Sequence, residues 1–282
     1  MIHETNPATG TANPDHVGAV VAAQNLSHAQ GHDYDKGSPH LRHDSLRGMV
    51  ERRLTRLVED RLSQTGSCRA LEIGGGHGTF TSCLLAAGAH VTVTEASSAS
   101  AEHLRRTFAD SDRVEVIFDA SGEAILTAGR EWDLAVITSV LHHIPDYLAF
   151  LDSLVSSLSR GGGIFTVQDP LYYPRMSRFA HTADRAAYLT WRLLQGDYRR
   201  GIRTRVRRLR GVYDDSEPSD LVEYHVVRSG VDEEAIRDLL SSRFASFELF
   251  RYWSSQAPMW QWLGDRARLE STFGIEATGH LG

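Results

Sequence analysis

Apolar residues recur along the chain with two different periods. Between residues 46 and 63 they recur every three or four positions, which predicts an amphipathic helix. From Cys68 onward, short apolar runs typical of buried strands alternate with segments of helical spacing. Strands that alternate with helices in this way form parallel, doubly wound sheets. The pattern therefore predicts an α/β fold.

The alternation predicts five strands first. They run over Arg69 to Ile73, Ala89 to Thr94, Val114 to Phe118, Trp132 to Thr138, and Ile164 to Gln168 after a turn at Arg160–Gly163. Helices are predicted between them over Thr79 to Ala87, Ser100 to Phe108 and Tyr147 to Leu158. Later come a helix at Asp232 to Ser242 and strands at Phe247 to Tyr252 and Phe273 to Thr278. The weak crossover between these two strands predicts an antiparallel end to the sheet.

The same pattern divides the chain into five predicted segments. They are a flexible tail at 1–24, an N-terminal lid with helices at 25–64, a core at 65–170, a helical insertion at 171–230 and the end of the sheet at 231–282. The 282 residues, 41% of them hydrophobic, suffice for a sizeable core. A net charge of −6 argues against broad binding to nucleic acid or membrane surfaces. Without a signal-peptide pattern or a membrane-spanning run, we expect a cytoplasmic protein.

A glycine-rich turn follows the first predicted strand. Residues 72–79 read Glu-Ile-Gly-Gly-Gly-His-Gly-Thr, and glycines at such a turn let the backbone approach a ligand closely. The spacing does not fit the dinucleotide pattern G-x-G-x-x-G, because Thr79 stands at its last position. No P-loop sequence is present either. A plain tight turn is the alternative interpretation.

The form E-x-G-x-G-x-G resembles the first motif of class I S-adenosylmethionine (SAM)-dependent methyltransferases. The resemblance covers residues 65–170 well and the last strand moderately. It implies a Rossmann-like, mostly parallel seven-stranded sheet in the order 3-2-1-4-5-7-6, with its last strand in sequence antiparallel. It also implies SAM as cofactor and S-adenosylhomocysteine (SAH) as product.

Candidate cofactor-binding residues follow from this resemblance. It assigns Glu95 to the ribose hydroxyls, Asp119 with the amide of Ala120 to the adenine, and Thr138 to the methionine part of SAM. The remaining candidates are Tyr34, Glu72, Gly74, Gly76 and Gly78. A solvated strand-end charge at Glu95 and a helix-capping role for Asp119 are the alternatives.

The candidate catalytic residues are His142, His143 and Asp169. The histidines follow the fourth predicted strand and the aspartate ends the fifth, so all three are expected where the reacting methyl group would lie. Either histidine is a candidate base, which an acceptor needs only if it must lose a proton. Packing of the histidines and a turn-forming aspartate before Pro170 are the alternatives.

The N-terminal lid has a separate set of candidates. Tyr34 and Asp35 match a pair that closes over the carboxylate of SAM in the family, and Lys36, Arg42 or His43 are candidates to neutralise it. The lid also holds His28, His32, His40 and His43, but no metal-ligand spacing is present, so no metal is predicted.

The insertion is expected to select the acceptor. Its aromatic residues, Tyr172, Tyr173, Tyr188, Trp191 and Tyr198, suit either an acceptor pocket or the insertion's own core. Residues 199–210 hold seven arginines on an amphipathic pattern, and an acidic stretch follows. A solvated face, an anionic substrate, a partner subunit and an RNA contact stay open for this segment.

We therefore expect a SAM-dependent methyltransferase acting on the O, N or C atom of a small molecule, in bacterial specialised (natural-product) metabolism. The expected partner is the small-molecule acceptor, without nucleic acid or membrane, and the insertion is compatible with a homodimer. The alternatives are an RNA or protein methyltransferase, a protein that binds SAM without transferring methyl, and, least favoured by the glycine spacing, a NAD-dependent oxidoreductase.

Overall fold

The computed structural model describes residues 38–120, 124–194 and 229–282. Its strands are β1 (Arg69–Ile73), β2 (His90–Glu95), β3 (Val114–Phe118), β4 (Trp132–Thr138), β5 (Leu158–Pro170), β6 (Phe244–Tyr252) and β7 (Thr272–His280). Its α-helices are α1 (Pro39–Arg42), α2 (Asp44–Thr65), α3 (Thr79–Ala86), α4 (Ser98–Thr107), α5 (Tyr147–Ser156), α6 (Arg178–Leu194), α7 (Glu233–Leu240) and α8 (Pro258–Arg266). Short 3₁₀ turns lie at Ala124–Thr127, Leu141–His143 and Tyr173–Arg175.

The strands form one seven-stranded sheet in the order β3-β2-β1-β4-β5-β7-β6. Strands β1 to β5 pair in parallel, and β7 pairs antiparallel with both β5 and β6. The predicted fold class and strand order are therefore confirmed. The order reverses between β1 and β4, so the connections that follow their carboxyl ends run in opposite directions, and a crevice is expected between them.

Helices cover both faces of the sheet. On one face, Val50 and Leu54 of α2, Leu84 of α3 and Leu104 of α4 are fully buried against the strands. On the other face, α5 and α7 bury a second apolar cluster. The predicted stripe on α2 is confirmed, because the buried residues of that helix recur at helical spacing.

The structure differs from the predictions at two places. Residues 160–163, expected to form a turn, lie inside β5, where they form a bulge between the pairs Trp132–Leu158 and Leu134–Gly163. Gly161 has a φ of 76°, so the glycines let the strand bend without ending it. Helix α8 was not predicted. It packs against α6, and Trp253 and Ala183 meet in a small cluster beside both helices.

The two ends of the predicted insertion lie side by side. Leu171 and Val231 form an isolated parallel bridge, and the N–H of Val231 donates to the carbonyl of Pro170 at 3.0 Å. Helix α6 is the long element of the insertion within the described residues. Among the helices that the structure describes, none is long and apolar enough to cross a membrane.

Candidate active site

The glycine-rich turn connects β1 to α3 and is tied to the neighbouring strand. The N–H groups of Gly74 and Gly75 both donate to the carbonyl of Thr94, at 3.0 and 3.2 Å. Gly74 has a φ of 78°, and a Cβ there would lie 2.4 Å from Cγ2 of Val140. A side chain at this position would therefore be strained by the backbone conformation and would require Val140 to move.

Glu95 closes the turn from β2. It is only 9% exposed, and its carboxylate accepts hydrogen bonds from the backbone N–H groups of Gly76 (2.9 Å) and Ser97 (3.0 Å). The alternative of a solvated strand-end charge is therefore wrong. The structure thus places Glu95, the predicted acceptor for the ribose hydroxyls, in hydrogen-bond contact with the glycine-rich turn.

Asp119 ends β3 beside Glu95. Its N–H donates to the carbonyl of Glu95 at 3.0 Å, and its Oδ2 accepts from the N–H of Ile125 at 3.2 Å. The side chain is 5% exposed. Asp119 thus binds the start of the 3₁₀ turn at Ala124–Thr127, a role close to the predicted alternative of a helix cap. A contact between Asp119 and adenine stays a proposal. Ala120 is the last residue described before the gap at 121–123.

A cavity lies above the carboxyl ends of β1 and β4. Glu72, Gly74 and Thr138 line it from the strands, and His77 and Phe80 line it from α3 and its approach. Burial raises the pKa of Glu72 to about 7, while the hydroxyl of Thr81, which donates to its Oε2 at 2.5 Å, opposes that shift and the charge of Glu95 adds to it. Glu72 therefore titrates near neutral pH.

His40 covers this cavity, a position that the sequence did not predict. It lies on α1, is 3% exposed and stacks on Phe80 with ring centroids 6.0 Å apart. Burial, with a smaller contribution from His142, lowers its pKa to about 3, so the ring is neutral. Its Nδ1 and the Oγ1 of Thr138 are both buried without a hydrogen-bond partner among the described residues. Buried polar atoms of this kind mark a place where a ligand can bind.

The other lid candidates lie elsewhere. Arg42 donates to the carbonyl of Gln256 at 3.1 Å, and His43 donates from Nε2 to the carbonyl of Ser255 at 2.8 Å. Both side chains therefore anchor the lid to the loop before α8. Tyr34, Asp35 and Lys36, with His28 and His32, lie outside the described residues. Within the described ranges no group of three potential metal ligands is present.

The candidate catalytic residues meet where β4 and β5 end. Oδ1 of Asp169 accepts from the backbone N–H of His142 at 3.1 Å and lies 2.7 Å from Nδ1 of the same residue. A carboxylate oxygen accepts hydrogen bonds and does not donate them, so Nδ1 of His142 is the donor to Asp169, and in the neutral ring Nε2 is then the nitrogen that carries no proton. His143 packs against His142 with ring centroids 3.9 Å apart.

Asp169 is fully buried, and its second oxygen has no partner among the described residues. A buried carboxylate with one satisfied oxygen favours a function over a plain turn. The backbone before each member of the pair is also strained. Ser139 has a φ of 59° and Gln168 a φ of 72°, although neither is glycine. Such backbone strain concentrates at functional sites.

Of the predicted aromatic residues of the insertion, Tyr188 and Trp191 contact each other, and Tyr173 contacts a histidine. Tyr173 contacts His181 edge-on at 5.8 Å, and Tyr188 lies 6.1 Å from Trp191, on the exposed side of α6. Tyr198 and the arginine-rich segment at 199–210 lie outside the described residues. Burial raises the pKa of Asp184 on α6 to about 6.

The opposite edge of the sheet also has a depression, lined by Arg69, His90, Arg113 and Glu131 among others. None of the predicted site residues contributes to it. The side chains of Arg69 and Arg130 there are bound to Asp133 and Glu115. The described candidate site residues therefore lie at the carboxyl ends of the strands and not at this depression.

Comparisons with known proteins agree with this geometry. Residues 71–164 match the family model described as "Methyltransferase domain". Three solved structures share the fold: the plantazolicin methyltransferase BamL (13% identity, TM-score 0.51, covering 94% of this chain and 97% of that one), the plantazolicin methyltransferase BpumL (11%, 0.52, 94% and 97%) and a putative sarcosine dimethylglycine methyltransferase from Galdieria sulphuraria (13%, 0.51, 85% and 88%). A comparison with curated protein sequences gives no match.

Proposed function

We propose that the protein moves the methyl group of SAM to a small-molecule acceptor, because residues 71–164 match a methyltransferase domain model and the sheet has the strand order implied by the resemblance to class I methyltransferases. One observation carries the proposal. The glycine turn, Glu95 and the His142–Asp169 pair all lie at the carboxyl ends of neighbouring strands, on both sides of the crevice where the strand order reverses. A purely structural explanation of these residues does not require them to share one edge.

The residues present fit SAM. The lack of a side chain at Gly74 lets the turn adopt a φ of 78° in close contact with Val140, and Glu95 would present a buried carboxylate to ribose hydroxyls. Asp119 and Ala120 would hold the adenine. Glu72, Thr138 and the neutral ring of His40 would surround the amino-acid end, where two polar atoms now lack partners. SAM supplies a methyl group already activated on a sulfonium, so the protein's task is alignment and exclusion of water.

His142 and Asp169 would handle the proton. Asp169 orients the ring through Nδ1, and Nε2 would accept the proton of a hydroxyl or carbon acid as the methyl group is transferred. An amine acceptor needs only its neutral form, so the pair favours an acceptor that must lose a proton. His143, which packs on His142, would hold that ring in place rather than serve as the base.

The remaining predictions depend on residues or partners that the structure does not describe. The insertion at 171–230 would select the acceptor, and Tyr34 would close over the cofactor. Bacterial natural-product metabolism, cytoplasmic location and homodimer formation stay predictions from the sequence. An RNA or protein acceptor would bind through the arginine-rich segment. A protein that binds SAM without transferring methyl would not need the His142–Asp169 pair.

Calorimetric titration with SAM and SAH tests the proposal. We expect micromolar binding to the wild type, and strong weakening in Gly76→Arg, which blocks the turn, and in Glu95→Ala, which removes the ribose acceptor. Glu115→Ala is the matched control, because this strand carboxylate pairs with Arg130 at the surface, away from the crevice. Folded wild-type protein that binds neither compound would refute the methyltransferase proposal. Binding with no transfer to any class of acceptor would favour a SAM-binding protein instead.

A further inference from the structure

Strand β5 carries one residue more than its partner β7 just before Asp169. The antiparallel register runs regularly from Gly163–Thr278 to Val167–Gly274, and the next pair is Asp169–Phe273. Gln168 therefore has no partner on β7, and its φ of 72° is left-handed. This combination is a β-bulge, which redirects the side chains that follow it.

The bulge determines which face Asp169 occupies. Thr166 pairs with Ile275, whose side chain lies in the cluster under α5 and α7. Strict alternation would place residue 168 on that face and residue 169 on the opposite one. With the extra residue, Asp169 pairs with Phe273, which belongs to the same cluster as Ile275. The bulge thus turns the carboxylate to the face on which it meets His142.

The bulge is held from the far side of the sheet. The N–H of Gln168 donates to the hydroxyl of Tyr252 at 2.9 Å, and that hydroxyl lies 3.3 Å from Oε1 of Gln168, to which it donates. The side-chain amide of Gln168 also donates to Oγ of Ser254 at 2.7 Å. Because β7 lies between β5 and β6, Tyr252 reaches across a whole strand to make this contact. It supplies the acceptor that the ladder does not provide for the N–H of Gln168.

We propose that Tyr252 is a positioning residue: its hydroxyl fixes the bulge at Gln168, and the bulge aims Asp169 at His142. The role of that pair in methyl transfer rests on the proposed function. The contact between Asp169 and His142 is itself present in the protein without ligand. When the tyrosine hydroxyl is removed, the N–H of Gln168 loses its acceptor, and a strained residue has less to hold it. Asp169 then loses its fixed contact with His142.

Nitrogen-15 NMR of the histidine rings tests this. In wild-type protein labelled at histidine we expect His142 to show a single tautomer protonated at Nδ1, with a downfield proton signal from its bond to Asp169. The signals are assigned by their loss in His142→Gln. In Tyr252→Phe we expect the downfield signal to disappear and the two tautomers to mix. The affinity for SAH should stay within about twofold of wild type, because the bulge lies away from the glycine turn.

Tyr147→Phe is the matched control. The hydroxyl of Tyr147 also accepts a backbone N–H, that of Asp232 at 3.1 Å, but it lies on α5 outside the candidate site. This variant should keep the His142 signature. If Tyr252→Phe fails to fold, Ser254→Ala removes the second contact of Gln168 and should weaken the signature in part. An unchanged His142 signature in folded Tyr252→Phe, or in Ser254→Ala where that variant replaces it, would overturn the proposal. Loss of the signature in Tyr147→Phe as well would also overturn it, because the effect would then be general.

The outcome is separable from that of the proposed function. The ring signals are read in the free protein, so they report the contact whether or not SAH binds. Failure of SAH to bind wild-type protein would count against the methyltransferase proposal alone. A misdirected His142 with normal SAH binding would support the positioning role alone.

Discussion

The two sides of the crevice are built differently. On the side of β1, β2 and β3, the candidate cofactor site consists of strand ends and a glycine turn joined by short-range hydrogen bonds, such as Gly76 to Glu95. On the side of β4 and β5, a strained residue precedes each member of the candidate catalytic pair, Ser139 before His142 and Gln168 before Asp169. Gln168 is hydrogen-bonded to residues from the last quarter of the chain, Tyr252 and Ser254.

Because the two sides are built differently, we expect each to be sensitive to a different kind of substitution. The cofactor side uses backbone shape, so an added Cβ is its main vulnerability. The catalytic side uses side-chain hydrogen bonds that fix one oxygen against one ring nitrogen, so removal of a single acceptor is enough to disturb it. Variants on the two sides should therefore separate affinity for the cofactor from the rate of transfer.

Asp169→Asn should have the largest effect. A neutral amide gives the protonated ring no charge stabilisation, and its NH2 group can donate to Nδ1 and select the other tautomer, so we expect kcat to fall by about 10³-fold, in the usual range for loss of a general base. Methyl transfer from radiolabelled SAM to an acceptor found by screening measures this. SAH affinity should be nearly unchanged. A variant that loses SAH binding and keeps its rate at saturation would reverse the assignment of the two sides.

Glu72→Gln should alter the dependence of stability on pH. The pKa of Glu72 is raised from 4.5 to about 7, so its contribution to stability is present below pH 4.5 and is lost as pH rises through 7. The shift corresponds to about 3 kcal/mol of unfolding free energy. Urea unfolding at pH 4.5 and 8 should show a smaller decline in Glu72→Gln than in wild type. Glu59→Gln, at an exposed position on α2, serves as control. Equal declines in all three proteins would contradict the expectation.

Gly74→Ala should weaken SAH binding by about 100-fold, or about 2.7 kcal/mol. Its Cβ would lie 2.4 Å from Val140 and would require a φ of 78°. Gly129→Ala separates the two causes, because Gly129 has a φ of 65° but nothing within 4 Å of a Cβ. This control should lose about 1 kcal/mol of stability and no affinity. If both variants bind SAH as wild type does, the turn is not part of the site.

His40→Phe should have the smallest effect. The ring still stacks on Phe80, but the hydrogen-bonding nitrogen is lost, so we expect SAH to bind about tenfold more weakly. Methylthioadenosine, which lacks the amino-acid end, should bind equally to both proteins in the same calorimetric assay. His40→Asn should restore part of the loss. An equal loss for both ligands would place His40 at the adenosine end.

The sequence predicted the cofactor side better than the catalytic side. The resemblance to class I methyltransferases named Glu95 and the glycines, because the strand, the turn and the strand end that carry it are continuous local patterns, and the structure brings Glu95 and Gly76 into contact. Asp169 and His142 were found as residue types at strand ends, but their contact was not. It depends on a bulge at Gln168 and on Tyr252, 84 residues away, and one extra residue in a strand leaves no mark in an apolar run. The position of His40 was not predicted for a similar reason, since its ring stacks on Phe80 of α3, which is distant in the sequence.

A crystal structure of the SAH complex would test the central claim most directly. We predict SAH across the carboxyl ends of β1, β2 and β4, with its ribose hydroxyls on Glu95, its amino-acid end between Glu72, Thr138 and His40, and its sulfur facing the His142–Asp169 pair. SAH bound at the depression on the opposite edge, or with its ribose away from Glu95, would contradict the account.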